Sequence, residues 1–216
     1  MKRLSVLAML SCAMLLLGSG TAWGQSAENL KGNKQAGKTF VYTCAGCHGV
    51  PGYQNAYPTY HVPRIVGQNQ QYIITALTEY QQGIRKHPTM DAQAESMSAQ
   101  DIANIAAYLS SIKQPVTEPK STGDSAGAKK SVACQACHGK YGIAVAGQYP
   151  NLAGQYADYI VQALHEYKDG QRQSAIMKGF ASQLSDQDMH DIADYFSSQP
   201  SPLAKDNLEH YIQGSH

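Results

Sequence analysis

The segments Cys44-Ala-Gly-Cys47-His48 and Cys134-Gln-Ala-Cys137-His138 share one spacing: two residues separate the cysteines and a histidine follows the second. Downstream, the stretch around Gly67-Gln68 recurs around Gly154-Gln155 with an offset of 87. The same offset relates Pro63 to Pro150, Tyr72 to Tyr159, Arg85 to Arg172, Met90 to Met177 and Ser98 to Ser185. Such self-similarity indicates a duplicated structural unit. Because the cysteine motifs lie 90 residues apart, the first copy carries a three-residue insertion, in the Tyr53 to His61 loop.

Hydrophobic periodicity predicts that each unit is helical. Apolar and tyrosine side chains recur at helical spacing over 70–80 and 157–168, and helices over 36–43 and 126–133 lead into the cysteine motifs. The last helix of each unit is predicted to begin at a Ser-x-x-Asp capping box, Ser98 to Asp101 and Ser185 to Asp188. No alternating run is long enough for a sheet, so the predicted fold class is all-α.

The chain is predicted to fall into five segments. They are a signal peptide at 1–24, a first domain at 25–113, a linker at 114–125, a second domain at 126–198 and a tail at 199–216. The linker is rich in Pro, Gly, Ser and Thr, and the tail has no counterpart in the first copy.

The first 24 residues have the pattern of an export signal. Lys2 and Arg3 precede an apolar run over 4–17, and Ala22 and Gly24 form a small-x-small cleavage site. This predicts export to the periplasm. A retained anchor helix is the alternative interpretation, although the apolar run falls short of the roughly 20 residues that a membrane span needs. One of the five cysteines lies in this segment, so all four cysteines of the mature chain belong to the two motifs.

The spacing C-x-x-C-H is that of c-type haem attachment. Two cysteines one helical turn apart reach the two vinyl groups on one haem edge and form thioethers, and the adjacent histidine then faces the iron. The sequence therefore predicts two covalently bound haem c groups, one on Cys44, Cys47 and His48, the other on Cys134, Cys137 and His138. Two alternatives fit this pattern less well. A redox dithiol needs no following histidine. A zinc site built from both cysteine pairs needs the pairs about 15–20 residues apart, whereas these motifs lie 90 residues apart.

The sixth position on each iron also needs a ligand. The candidates in the first unit are Met90, Met97, His61 and His87, and the repeat favours Met90 because Met177 is its counterpart. Both methionines are predicted to lie in an irregular loop before the last helix; packing in the core is the alternative role. Thioether ligation raises the reduction potential and fills the coordination sphere, which favours electron transfer over catalysis.

Pro63 and Pro150 are further candidates. A ligating imidazole usually donates its second N–H to a carbonyl or carboxylate, and each proline opens a P-x-[Ile/Leu]-x-Gly-Gln stretch after its attachment motif. Their carbonyls are the predicted partners of His48 and His138, with an ordinary loop proline as the alternative.

Charge excludes one class of partner. The formal charge is +1 and only 15% of the residues are charged, which argues against a nucleic-acid-binding protein. The units are also small and contain few large aliphatic side chains, so a haem is expected to complete each core.

Two further stretches accompany these motifs: Tyr149-Pro150-Asn-Leu152-Ala-Gly154-Gln155, and Met177 followed by Leu184-Ser-Asp-Gln-Asp188. With them, the mature chain apart from its tail resembles the di-haem cytochromes c of the cytochrome c4 type. The resemblance implies two tandem class I cytochrome c domains related by pseudo-twofold symmetry, with haems facing each other across the interface. It also implies that His48, Met90, His138 and Met177 ligate the two irons. The Tyr53–Arg64 loop departs from the usual pattern of the family.

The resemblance further implies a periplasmic protein, often membrane-associated, that carries single electrons and is not an enzyme. Its expected partners are a quinol-oxidising cytochrome complex and a haem–copper terminal oxidase. The alternative is the cytochrome subunit of a periplasmic oxidoreductase, such as a flavocytochrome sulfide dehydrogenase. An enzyme in its own right, such as a di-haem peroxidase, would need an open or unusually ligated haem.

Overall fold

The computed structural model describes residues 26–119 and 124–204. The first half of the chain forms α1 (Lys34–Phe40), α2 (Tyr42–His48), α3 (Gln70–Gln81), α4 (Pro88–Glu95) and α5 (Ala99–Ser111), preceded by a 3-10 turn at Ala27–Asn29. The second half forms α6 (Ala126–Lys130), α7 (Gln135–His138), α8 (Ala157–Asp169), α9 (Ala175–Ala181) and α10 (Asp186–Ser197). Between 26–119 and 124–204, β-pairing is limited to two isolated bridges. The all-α prediction is confirmed.

Both capping boxes are present. The Ser98 hydroxyl accepts from the amide of Asp101, whose carboxylate accepts from the amide of Ser98, and Ser185 and Asp188 repeat the arrangement. These reciprocal bonds satisfy amides that the first turn of a helix leaves unpaired. They fix where α5 and α10, the last helix of each half, begin.

Two sequence predictions of helix extent were wrong. The helix expected over 36–43 ends at Phe40 and a new one begins at Tyr42, and the helix expected over 126–133 ends at Lys130. The segments around Met90 and Met177, predicted to be irregular, are the short helices α4 and α9. Each begins at a side-chain cap, His87 for α4 and Ser174 for α9, which accepts from the amide of the methionine.

Each half has its own hydrophobic core. The first core is built on α3 and α5 and contains Ile74, Ile102 and Leu109; the second is built on α8 and α10 and contains Met189 and Phe196. In both, the helix that precedes the cysteine motif crosses the last helix closely at a glycine. A Cβ at Gly37 would overlap the backbone of Asn104, and a Cβ at Gly127 would overlap the backbone of Asp191.

The chain returns to the first core after the second. The amide of Ala204 donates to the carbonyl of Val66 at 3.0 Å, and the amide of Gln114 donates to the carbonyl of Pro202 at 3.0 Å. Leu203 and Ala204 are buried, and Ala204 is part of the first core. The segment 199–204, unmatched in the repeat, therefore ties the end of the second half to the first. The predicted signal peptide and residues 205–216 of the tail lie outside the described residues.

The glycine crossing is tested by Gly127→Ala. We expect the holoprotein to lose about 1–3 kcal/mol of unfolding free energy, because the added methyl group overpacks the contact between α6 and α10. Urea unfolding followed by circular dichroism measures the change. The control is Gly179→Ala in α9, where nothing lies within 4 Å of the added Cβ. Alanine there is expected to be neutral or to stabilise by up to about 1 kcal/mol, and an equal loss in both variants would contradict the crossing.

Candidate functional site

The cysteines of each motif lie on one short helical turn. Cys44, Cys47 and His48 belong to α2, whereas Cys134 is the N-cap residue of α7, which holds Cys137 and His138. A spacing of three residues places both sulfurs of a pair on the same side of the helix. None of these four sulfurs forms a disulfide. Burial raises the pKa of the Cys44 and Cys134 thiols, which favours their protonated form before haem attachment.

A cavity of about 550 Å³ joins the two motifs. Residues of both halves line it, among them the predicted attachment cysteines, the adjacent histidines, the repeat-related methionines and the two prolines: Cys44, Cys47, His48, Pro63, Met90, Cys134, Cys137, His138, Pro150 and Met177. Apolar side chains from the two cores, including Ile73, Leu77, Ile160 and Leu164, form much of the remaining wall.

The two histidines have their rings fixed by proline carbonyls. His48 Nδ1 lies 2.8 Å from the carbonyl oxygen of Pro63, and His138 Nδ1 lies 3.1 Å from that of Pro150. A carbonyl only accepts, so Nδ1 carries the hydrogen and the lone pair belongs to Nε2. Desolvation lowers the pKa of both imidazoles, against the opposing effect of the carbonyl. Both rings are therefore held neutral, the form that binds a metal.

The structure sets one of the four candidates for the sixth position apart from the other three. Met90 and Met97 line the cavity with His87, whereas the described lining residues do not include His61. His87 Nδ1 caps α4, as Ser174 caps α9. His61 Nδ1 lies 2.6 Å from the Asp158 carboxylate of the second half.

Arg85 and Arg172 are repeat mates for which the sequence predicts no role. They pair backbone to backbone across the interface, and each is ion-paired in its own half, Arg85 to Glu79 at 2.8 Å and Arg172 to Glu166 at 2.7 Å. Each guanidinium also lies over two tyrosine rings: Tyr72 and Tyr80 for Arg85, Tyr159 and Tyr167 for Arg172. Both arginines are buried and line the cavity. The repeated Glu-Tyr-x-x-Gly-x-Arg pattern is the sequence signal for this cluster.

The inserted loop of the first half contacts the second half on one side of the pseudo-twofold. The His61 ring stacks on Tyr156 with centroids 4.5 Å apart, and the Arg64 guanidinium lies 3.8 Å from the same ring centre. The His61 amide also donates to Asp158 at 3.0 Å. The repeat mate of Asp158 is Gln71, so the opposite side lacks a carboxylate at this position. The departure from the family pattern in this loop thus accompanies an added interdomain contact.

Comparison with known proteins agrees with this arrangement. The family profile for cytochrome c matches residues 34–113 and 125–200. The cytochrome c4 of Azotobacter vinelandii is 37% identical over 187 residues, covering 76% of this chain and 88% of that one. A thiosulfate dehydrogenase electron acceptor of Thiomonas intermedia is 28% identical, covering 78% and 84%. The crystal structure of reduced cytochrome c4 from Pseudomonas stutzeri aligns with a TM-score of 0.63 at 28% identity, over 80% of this chain and all of that one.

The fold and the cavity define a non-enzymatic electron-transfer protein with two tandem cytochrome c domains, each binding one haem c covalently. Among these proteins, the chain belongs to the di-haem cytochrome c4 family.

The residues present fit the two groups. Each half contributes to the cavity wall a pair of cysteine sulfurs, an imidazole whose Nε2 carries the lone pair, and a methionine thioether, set among apolar side chains. A bound haem supplies an iron that changes its charge by one when an electron arrives or leaves. The chain fixes the imidazole through the proline carbonyl and surrounds the site with apolar side chains, which lowers the local dielectric and so influences the potential.

The cavity predicts dependence of the fold on haem. Without haem, the apolar side chains of α3, α5, α8 and α10 that face the cavity lose their packing partner. We expect protein made without haem attachment to lose its cooperative thermal unfolding transition and much of its helical circular dichroism. A haem-free preparation with full helicity and a cooperative transition would contradict this.

Proposed function

We propose that this protein carries single electrons in the periplasm from a quinol-oxidising cytochrome complex to a haem–copper terminal oxidase. The observation that supports this most is the presence of two donor sets, each with a histidine and a methionine, in one apolar cavity. Two complete sets of axial ligands leave no open position for a substrate, and a shared cavity brings the two redox centres of one chain together.

The proposed iron ligands are His48 and Met90 in the first domain, and His138 and Met177 in the second. Cys44, Cys47, Cys134 and Cys137 provide the thioether attachments, and Pro63 and Pro150 orient the histidines. Met90 and Met177 are supported over Met97 and His87 because they are repeat mates, occupy the same position in α4 and α9 and line the same cavity.

The ligand assignment is tested by Met90→Ala and Met177→Ala. Each variant is expected to lose about half of the near-infrared thioether absorption of the ferric protein. The potential of the affected haem is expected to fall, because the soft sulfur donor favours ferrous iron. A fall beyond about 59 mV corresponds to more than a tenfold change in the electron equilibrium of a one-electron couple. The control is Met97→Ala, which removes another thioether from the cavity wall; loss of absorption there instead would move the assignment to Met97.

A second candidate function is acceptance of electrons from a periplasmic dehydrogenase. It is supported by the similarity to the thiosulfate dehydrogenase electron acceptor of Thiomonas intermedia, which covers 84% of that protein. The alternative that the sequence suggests, the cytochrome subunit of a flavocytochrome sulfide dehydrogenase, would likewise accept electrons from a dehydrogenase.

The two functions are separated by reduction rates. We expect the ferric protein to be reduced by a quinol-oxidising complex at least tenfold faster than by a thiosulfate dehydrogenase at equal enzyme concentration. Stopped-flow absorbance of the haem bands measures both rates. The reverse order would favour the dehydrogenase, and the same preparation would then be assayed for reoxidation by a haem–copper oxidase.

The proposed location is the periplasm, with the leader at 1–24 as the export signal. In the described part of the chain, no helix combines the length and apolar character needed to cross a membrane. Peripheral attachment to the membrane remains part of the proposal, and cell fractionation with and without high salt tests it.

A further inference from the structure

Gln155 is a buried side chain that holds a residue of the other domain. Its Oε1 accepts from the amide of Arg64 at 2.9 Å, and its Nε2 donates to the carbonyl of Arg64 at 2.9 Å. Oε1 also accepts from the amide of Tyr156 at 3.1 Å. Only 4% of Gln155 is exposed, so these bonds form away from water.

Its repeat mate Gln68 does the same in the opposite direction. Gln68 Oε1 accepts from the amide of Asn151 at 2.8 Å and from Asn69 at 2.9 Å, and its Nε2 donates to the carbonyl of Asn151 at 3.1 Å. Gln68 is also 4% exposed. Each glutamine of the repeated Gly-Gln pair therefore binds both ends of one residue of the other domain, in addition to the next amide of its own chain segment.

The clamped amides belong to the peptide groups that orient the histidines. The N–H of Arg64 and the C=O of Pro63 are parts of one planar peptide, and that C=O lies 2.8 Å from His48 Nδ1. The chain of hydrogen bonds runs from His48 through the Pro63–Arg64 peptide to Gln155. The mirror chain runs from His138 through the Pro150–Asn151 peptide to Gln68.

We propose that Gln155 and Gln68 are positioning residues, each of which tunes the axial histidine of the other domain. Accepting a bond from the peptide N–H polarises the C=O of that peptide and makes it a stronger acceptor. A stronger acceptor makes the imidazole a more basic ligand, which favours ferric iron and lowers the potential. The inference rests on the proposed ligation by His48 and His138.

The test uses Gln155→Met and Gln68→Met, which keep side-chain length and remove both hydrogen-bonding ends. In protein that holds one electron, a gain at one haem is a loss at the other. Gln155→Met is expected to shift the electron about three- to tenfold toward the first haem, and Gln68→Met by a similar factor toward the second. Haem methyl NMR signals, assigned to each domain by Overhauser contacts with its core residues, report the distribution.

The interface control is Asp158→Asn, which weakens the contact with His61 but leaves the Pro63–Arg64 peptide clamped. Its sharing ratio is expected to stay within twofold of the wild type. The inference would be overturned if both glutamine variants moved the electron toward the same haem, if each moved it toward the haem of the glutamine's own domain, or if neither moved it. An equal shift in Asp158→Asn would overturn it as well.

A second pair of variants covers failure of the methionine variants to fold. Gln155→Glu and Gln68→Glu keep an oxygen acceptor for the peptide N–H and make it stronger, so each is expected to shift the electron in the direction opposite to its methionine counterpart. An unchanged or same-direction ratio would count against the inference. A failure of the proposed ligation is separately visible, because the wild-type ferric protein would then lack the low-spin spectrum and thioether absorption of a His/Met-ligated haem.

Discussion

A hydrogen bond from imidazole Nδ1 to a proline carbonyl is the interaction on which each site depends. Because the carbonyl only accepts, it fixes both the tautomer and the plane of the ring, and it leaves Nε2 available to a metal. Burial also lowers the pKa of each of these imidazoles, which favours the neutral ring. The sulfur attachments would hold the haem at its edge, whereas in the proposed ligation the bond to Pro63 or Pro150 determines that Nε2 is the histidine atom offered to the iron.

The two domains have the same histidine–proline hydrogen bond and similar helix packing, but they differ in the loop that carries the insertion. The last helices begin at the same capping boxes, and the preceding helices cross them at equivalent glycines, Gly37 and Gly127. The three-residue insertion changes only one side of the pseudo-twofold, where it brings His61 against Asp158. This pair is partly exposed, with 29% and 39% of the side chains accessible, so it adds little to stability. The buried glutamine bonds, in contrast, occur on both sides.

The sequence predicted the features that depend on the local spacing of residues. It did not predict the contacts that form only when the two domains pack together. The cysteine motifs, the capping boxes and the class of fold follow from residues three or four positions apart. The short helices that carry Met90 and Met177 were missed, although Pro88 at the first position of α4 is a helix-start signal. The repeat marked Gly67-Gln68 and Gly154-Gln155 as a pair, but a repeated residue looks the same whether it contacts its own unit or the other one. His61, considered as an iron ligand, is instead engaged with Asp158 through a contact 97 residues away in sequence.

The polar character of the interface explains why the two units have one defined relation. Apolar burial is non-directional and tolerates sliding of one surface over another, whereas a buried amide bonded at both ends fits in one register, because any shift leaves donors and acceptors without partners. Arg85 and Arg172 meet a stricter condition, each within its own domain. Their charges are desolvated, and a buried cation is tolerated only where a carboxylate and further contacts compensate it, as Glu79, Glu166 and the tyrosine rings do here. Since the arginines pair with each other only through backbone, each domain balances its own charge, and the glutamine bonds together with this backbone pairing define how one haem site faces the other.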